Sequence, residues 1–463
     1  MKSMIKLFIR RMVSPWQRLG KAGIAATLIG LLMVLLFLYK GGKAAYASYQ
    51  AHMGRLPDQV HLSWVEDPTT TMTMMWHTYR DETPSLAQYR RLGDEEWLME
   101  VGMPQPVVTE GVVHKATIRN LIPDSTYEYR LKGDYYGHNW SETFQFRTAP
   151  EEIEQFDVIY VADTGLVGRQ DGLATGTQGI VEAIAELSPA LILAGGDYAY
   201  YNTDKRYLSL PRSIDAWFNQ LMPVATMAPM MPTYGNHEAL LQENYGVWVD
   251  RFATPEGFDY KRNYSFDIDD VHFISLFAIY EEQGLNSEIL DWLEEDIVSA
   301  QESGKRWIIP YMHVSAFAEG ESHPSNLALR EQLGPLFERS GIKVVLSSHD
   351  QAYERTYPLV DVPEKNQPTS TNLSCYGVDD GVTWLKSSPG GKKSNKSNNF
   401  SIFRQPPSPW VAVRDNTMHV FTRLRFIGSE VLEVETFALA DDDSQPIVLD
   451  TFSYTFGECD AAS

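Results

Sequence analysis

Five times within about 190 residues, a short apolar run stops and a side chain able to hold a metal ion follows at once. Residues 156–162 end at Asp163-Thr164-Gly165. Residues 190–195 end at Gly196-Asp197-Tyr198-Ala199-Tyr200. A third segment ends at Tyr234-Gly235-Asn236-His237-Glu238, a fourth (307–312) at His313, and a fifth (342–346) at Ser347-Ser348-His349-Asp350-Gln351. Unbroken apolar runs mark strands buried on both faces, and a helix-like stretch at 179–187 separates the first two. This alternation predicts an α/β fold, in which ligands bind beyond the carboxyl ends of the strands. Singly, each residue has a plain reading. An Asp at a strand end is commonly a helix cap, a lone His a hydrogen-bonded core residue, and Gly235-Asn236 a turn. Packing explains the joint pattern far less well, because the five tips can converge on one pocket.

The donor types narrow the chemistry. Carboxylates, an amide oxygen and imidazoles suit zinc, manganese or iron rather than calcium. Asp197 is the natural carboxylate to bridge two ions, and a tyrosine three residues later, Tyr200, hints at ferric iron. Ser347 and Ser348 lack a Gly-x-Ser-x-Gly turn, and residues 389–391 lack the Gly-Lys-Ser/Thr ending of a phosphate loop.

Charge excludes other classes. The chain has 39 Lys+Arg and 61 Asp+Glu. Eight of the basic residues fall in positions 1–43, which hold no acidic one, so residues 44–463 carry a net charge of −30. Such a surface repels a nucleic-acid backbone. The basic head precedes an uncharged apolar run at 22–39, long enough to cross a bilayer, which predicts a single-pass anchor with the bulk of the chain exported. A cleaved signal is the rival, since Ala45-Tyr46-Ala47 fits a cleavage site. Cys375 and Cys459 are the only cysteines, and spacing alone does not pair them. The expected organisation is a basic segment (1–21), an anchor (22–39), a linker (40–55), an all-β domain of short alternating strands (56–149) and a catalytic domain (150–458). Residues 386–399, rich in Lys, Ser and Gly, read as a mobile surface loop.

These motifs resemble the metallophosphoesterase superfamily, and within it the purple acid phosphatases, over residues 56–455. The stretch 121–127 resembles the tyrosine corner of fibronectin type III-like domains, which the large plant and bacterial members carry in front. The resemblance implies a four-layer α/β/β/α sandwich preceded by that all-β domain. It implies a dinuclear centre of Fe(III) plus a divalent ion (Zn, Mn or Fe) and hydrolysis of phosphate monoesters. Asp163, Asp197 and Tyr200 correspond to ferric-site ligands, with Asp197 bridging, and Asn236, His313 and His349 to the divalent site. His237 corresponds to the histidine that meets the substrate phosphate, and His323 to a second histidine beside it. One position departs. The family's Gly-His-x-His reads Ser348-His349-Asp350-Gln351 here, so Gln351 stands for a ligand histidine, with Asp350 as another oxygen donor. The purple colour is expected to survive if Tyr200 binds ferric iron. Members of this size often pair, so a homodimer is among the expectations. The rival functions are a phosphodiesterase or nucleotide pyrophosphatase on the same scaffold, and a surface-binding protein with an impaired centre.

Overall fold

Along residues 156–161 alternate side chains enter two different cores. Val158 and Tyr160 join one cluster, Ile159 and Val161 another. The same division recurs at Leu191 and Leu193 against Ile192 and Ala194. In the second half of the chain Ile309 and Tyr311 oppose Ile308 and Met312. A strand with apolar residues on both faces needs a layer on each side, and this dictates the architecture. The computed structural model describes residues 56–459 except 136, 137, 205, 208, 240–244, 280–282 and 443, together with 29, 30, 32 and 33.

The first domain has two sheets. One orders Asp58–Ser63 (β1), Met72–Thr78 (β2), Val112–Ile118 (β6) and Met103–Gln105 (β5). The other orders Leu98–Val101 (β4), Leu86–Arg91 (β3), Thr126–Tyr135 (β7) and His138–Trp140 (β8), with Phe144–Arg147 (β9) also on β7. The tyrosine corner is present: the Ile122 backbone N–H donates to the Tyr127 hydroxyl at 2.9 Å.

The second domain has two seven-stranded sheets. The first runs Met230–Pro232 (β12), Leu191–Ala194 (β11), Gln155–Val161 (β10), His419–Ile427 (β23), Val431–Leu439 (β24), Ile447–Thr455 (β25) and Cys375–Gly377 (β20). The second runs Tyr264–Ile268 (β13), Val271–Leu276 (β14), Trp307–Val314 (β15), Val344–Ser348 (β16), Thr383–Lys386 (β21), Tyr353–Thr356 (β17) and Val411–Asp415 (β22). A small ribbon pairs Leu359–Val360 (β18) with Gln367–Pro368 (β19). The sheets face each other across a shared core. Helices Thr177–Leu187 and Leu210–Ala225 cover the outside of the first sheet. Helices Ser287–Glu302 and Leu327–Arg339 cover the second, and their N-cap residues Asn286 and Asn326 accept from the N–H three residues on. The expected four layers are therefore present, behind an all-β domain.

β10, β11 and β12 run parallel, as do β14, β15, β16 and β21, so their carboxyl ends gather on one rim. Cys375 and Cys459 form a disulfide. Residues 386–399 correct the sequence reading. Their first part is no surface loop: Lys386, Ser387, Ser388 and Lys392 are buried, and the segment bonds back to the tip of β10 through Gly390 N–H to the Ala162 carbonyl (2.7 Å) and Lys392 N–H to the Asp163 carbonyl (3.0 Å), while Lys396, Asn398 and Asn399 stay exposed. Most of the apolar run at 22–39 lies outside the described residues; among those described, no helix is long and apolar enough to cross a membrane.

Candidate metal centre

Three of the five strand tips present a candidate ligand through a backbone conformation that costs energy. Asp163, Asp197, Tyr200 and His349 have φ of 54°, 54°, 51° and 78°, a region few non-glycine residues occupy. Such positions cost about 1–3 kcal/mol each and cluster where function over-determines them. Gly196 (φ 90°) and Gly235 leave room that no other residue could. A Cβ on Gly196 would meet the Gly235 nitrogen at 2.5 Å, and one on Gly235 would meet Asp197 Oδ1 at 2.1 Å. His313 sits where the β15–β16 register shifts, an irregularity of the kind that re-aims a side chain.

The result is a buried cluster. Ligand atoms of Asp197, His313 and His349 all lie within 4.8 Å of one another. Asp197 Oδ2 is 3.2 Å from His313 Nε2 and 3.9 Å from His237 Nε2. His349 Nδ1 faces His313 Nε2 at 3.2 Å. His313 Nδ1 lies 2.8 Å from the Gly195 carbonyl, to which it donates, so Nε2 is the nitrogen left for a ligand. Asn236 Oδ1 is buried without a hydrogen-bond partner.

Asp163 lies beside this group with a different set of contacts. Its Oδ1 accepts from the Tyr200 hydroxyl (2.7 Å) and the Gln351 amide (3.1 Å), and its Oδ2 from the His349 N–H (3.1 Å) and the Ser388 hydroxyl (2.8 Å). Asp350 is excluded as a donor to the pocket: its carboxylate bonds Lys386 (2.6 Å) and Ser401 (2.5 Å). The His237 ring packs at 4.2 Å and a tilt of 51° against the Tyr200 ring and donates through Nδ1 to Asn202 Oδ1 at 2.6 Å, leaving Nε2 toward Asp197. The His323 ring packs 4.0 Å from that of His349.

Burial and charge set the protonation states. Burial alone would raise the Asp197 carboxyl, but His313, His237 and His349 outweigh it and hold it below the usual range. Burial would lower His313, but Asp197 pulls it up to about 9. Burial lowers His237 to about 4. Burial, Asp163 and Asp197 push the Tyr200 phenol well above its ordinary value. Three contributors escaped the sequence reading. Glu238 is buried, raised to about 8 by burial and by Asp197, and accepts from the Asp197, Tyr198 and Gly235 N–H groups. Ser388 and Lys392 arrive on the misread segment; the Asn-His-Glu string could have flagged Glu238, but nothing local marks the other two.

Two stacked sheets with a buried carboxylate–imidazole cluster on their common rim define a metal-dependent phosphoric ester hydrolase, and the comparisons agree. Residues 57–148 match the purple acid phosphatase N-terminal domain and residues 156–353 the calcineurin-like phosphoesterases. Human acid phosphatase type 7 is 26% identical over 426 residues, covering 86% of this chain and 90% of that protein. Purple acid phosphatase 23 of Arabidopsis thaliana is 27% identical over 278 residues, 53% of this chain and 58% of the plant protein. The purple acid phosphatase PPD1 of yellow lupin (Lupinus luteus) shares the fold, with TM-score 0.71 at 18% identity over 86% of this chain and 74% of the lupin chain. The chain is thus similar to the purple acid phosphatases in both of its domains, the second of which matches the calcineurin-like phosphoesterases.

Proposed function

We propose that the protein hydrolyses phosphate monoesters at an ion held by Asp197, Asn236, His313 and His349. The observation that carries this is the convergence of three ligand groups within 4.8 Å from strands far apart in sequence, joined by the unpartnered Asn236 oxygen. The donor set, two imidazoles with oxygen ligands, fits zinc, manganese or iron. Bound there, such an ion polarises a phosphoryl oxygen and makes water nucleophilic at neutral pH. The dinuclear centre implied by the resemblance also asks Asp163, Tyr200 and Gln351 to hold ferric iron. Those three fit less well, because Asp163 already receives four protein donors and Gln351 offers a neutral amide oxygen in place of an imidazole.

The remaining work falls to the chain's own side chains. The negative charge of a bound phosphate opposes the burial that holds the His237 imidazole neutral, so that Nε2, which faces the pocket, takes up a proton and donates it in a hydrogen bond to a phosphate oxygen. His237 or His323 then gives its proton to the departing alkoxide, a common task for histidine. Export beyond an anchor at 22–39 remains part of this proposal on the sequence alone.

The test is metal content together with phosphate release from an aryl phosphate, on wild type and Asp197→Ala. Wild type is expected to carry metal and turn over, and the variant to lose both. Turnover retained by Asp197→Ala would remove the proposal. A diester panel run alongside separates monoesterase from diesterase.

A further inference from the structure

The two halves of the pocket are built on opposite plans. A carboxylate offers about four lone-pair sites, and Asp163 receives four protein donors: Tyr200, Gln351, Ser388 and the His349 N–H. The orientation of the Gln351 amide is fixed by a second bond, since its Nε2 also donates to the His349 carbonyl at 2.8 Å. The NH₂ end therefore faces Asp163. This leaves Gln351 Oε1 buried without a partner, a neutral oxygen where the resemblance calls for an imidazole.

Two cationic side chains stand beside the Tyr200 ring. Lys392 is buried, with Nζ 4.1 Å from the centre of the Tyr200 ring. The Arg169 guanidinium lies 6.0 Å from that ring, and its side chain is 1% exposed. Arg169 is neutralised by Asp171, and burial and Arg169 lower Lys392 to about 7, so what disfavours a trivalent ion here is the filled carboxylate of Asp163 rather than charge. The Asp197 half is the reverse. Its Oδ2 faces imidazole nitrogens, and the Asn236 oxygen is unpartnered.

We infer that this centre is mononuclear. One ion sits among Asp197, Asn236, His313 and His349. Asp163, Tyr200, Gln351 and Ser388 form a hydrogen-bonded wall beside it, where related centres are expected to carry ferric iron. The inference rests on the metal-centre reading above, and its test separates the two.

The full chain is incubated in air with excess iron and zinc, freed of loose metal, and assayed for metal per chain by elemental analysis and for visible absorption. One ion per chain and no phenolate–iron band are expected, with Tyr200→Phe still holding one ion. Two ions per chain would overturn the inference while leaving the proposed function standing, as would a visible band that Tyr200→Phe abolishes. No tightly bound ion in wild type would overturn the metal centre itself, and the inference with it.

Discussion

Glu238 shows how one buried carboxylate can set a site it does not enter. Its Oε1 accepts from the Tyr198 N–H at 2.8 Å, and its Oε2 from the Asp197 and Gly235 N–H groups at 2.8 and 3.0 Å. Those bonds hold the left-handed turn at Asp197 against the tip that carries Asn236. Glu238→Gln keeps the shape but turns one oxygen into a donor, and either amide orientation then points N–H at N–H. An unmet buried donor costs about 1–3 kcal/mol, and loss of such a supporting bond typically weakens metal binding by about 10–100-fold. Metal affinity measured by chelator competition should fall by that factor in Glu238→Gln; an unchanged affinity would make Glu238 a packing residue only. The ligand candidates themselves were legible in sequence because each stands at the end of an apolar run. Glu238 stands in the same string as Asn236 and His237, but its role was not legible, since its partners are backbone groups brought together only by the fold.

Among the elements, the paired strands were the easiest to read. Burial on both faces leaves an unbroken apolar run, and 156–162 announced β10 almost residue for residue. The segment 386–399 failed for the opposite reason. Lys, Ser, Gly and Pro are the residues of solvated loops, and local composition cannot show that their polar groups are satisfied by distant ones. Lys386 is the extreme case. Its ammonium lies 2.6 Å from Asp350 and 2.8 Å from Glu354, with all three side chains 1–2% exposed. Burial lowers the Lys386 pKa less than the two carboxylates raise it. Burial also pushes Glu354 up against the pull of Lys386. Lys386→Met removes the cation and leaves two carboxylates buried together. Breaking such a group costs about 3–5 kcal/mol. Urea unfolding should register a loss of that size, and a loss under about 1 kcal/mol would show that the carboxylates find other partners.

At the scale of the whole molecule, the first domain docks on the second through polar groups as well as a continuous apolar core. The Tyr129 hydroxyl donates to the Thr226 carbonyl at 2.8 Å, and buried Arg251 reaches Gln59 and Asp215. His61 stacks on Phe218 at 4.3 Å, with its two ring nitrogens 2.8 Å from the Gln59 carbonyl and 3.0 Å from the Arg251 carbonyl. Burial depresses His61 to about 4, and likewise His114 to about 4 and His419 to about 3. The sign follows from linkage. An unfolded histidine titrates near 6.5, so between pH 6.5 and the folded value the unfolded chain takes up a proton that the native one refuses. The contribution is complete above pH 6.5 and is lost as pH falls toward about 4. His272, raised to about 9 by Asp267 and Asp296 against the opposing effect of burial, gives a constant contribution below pH 6.5 and cannot offset the loss. At pH 5 each depressed histidine should cost about 2 kcal/mol, and for His61 that cost falls on the seam between domains. His61→Phe preserves a ring against Phe218 and removes the titration. The drop in unfolding free energy between pH 7.5 and pH 5 should therefore shrink by about 2 kcal/mol in the variant, whatever its absolute stability. Equal drops in the two proteins would mean that acid loosens this molecule elsewhere than at the docked face of the first domain.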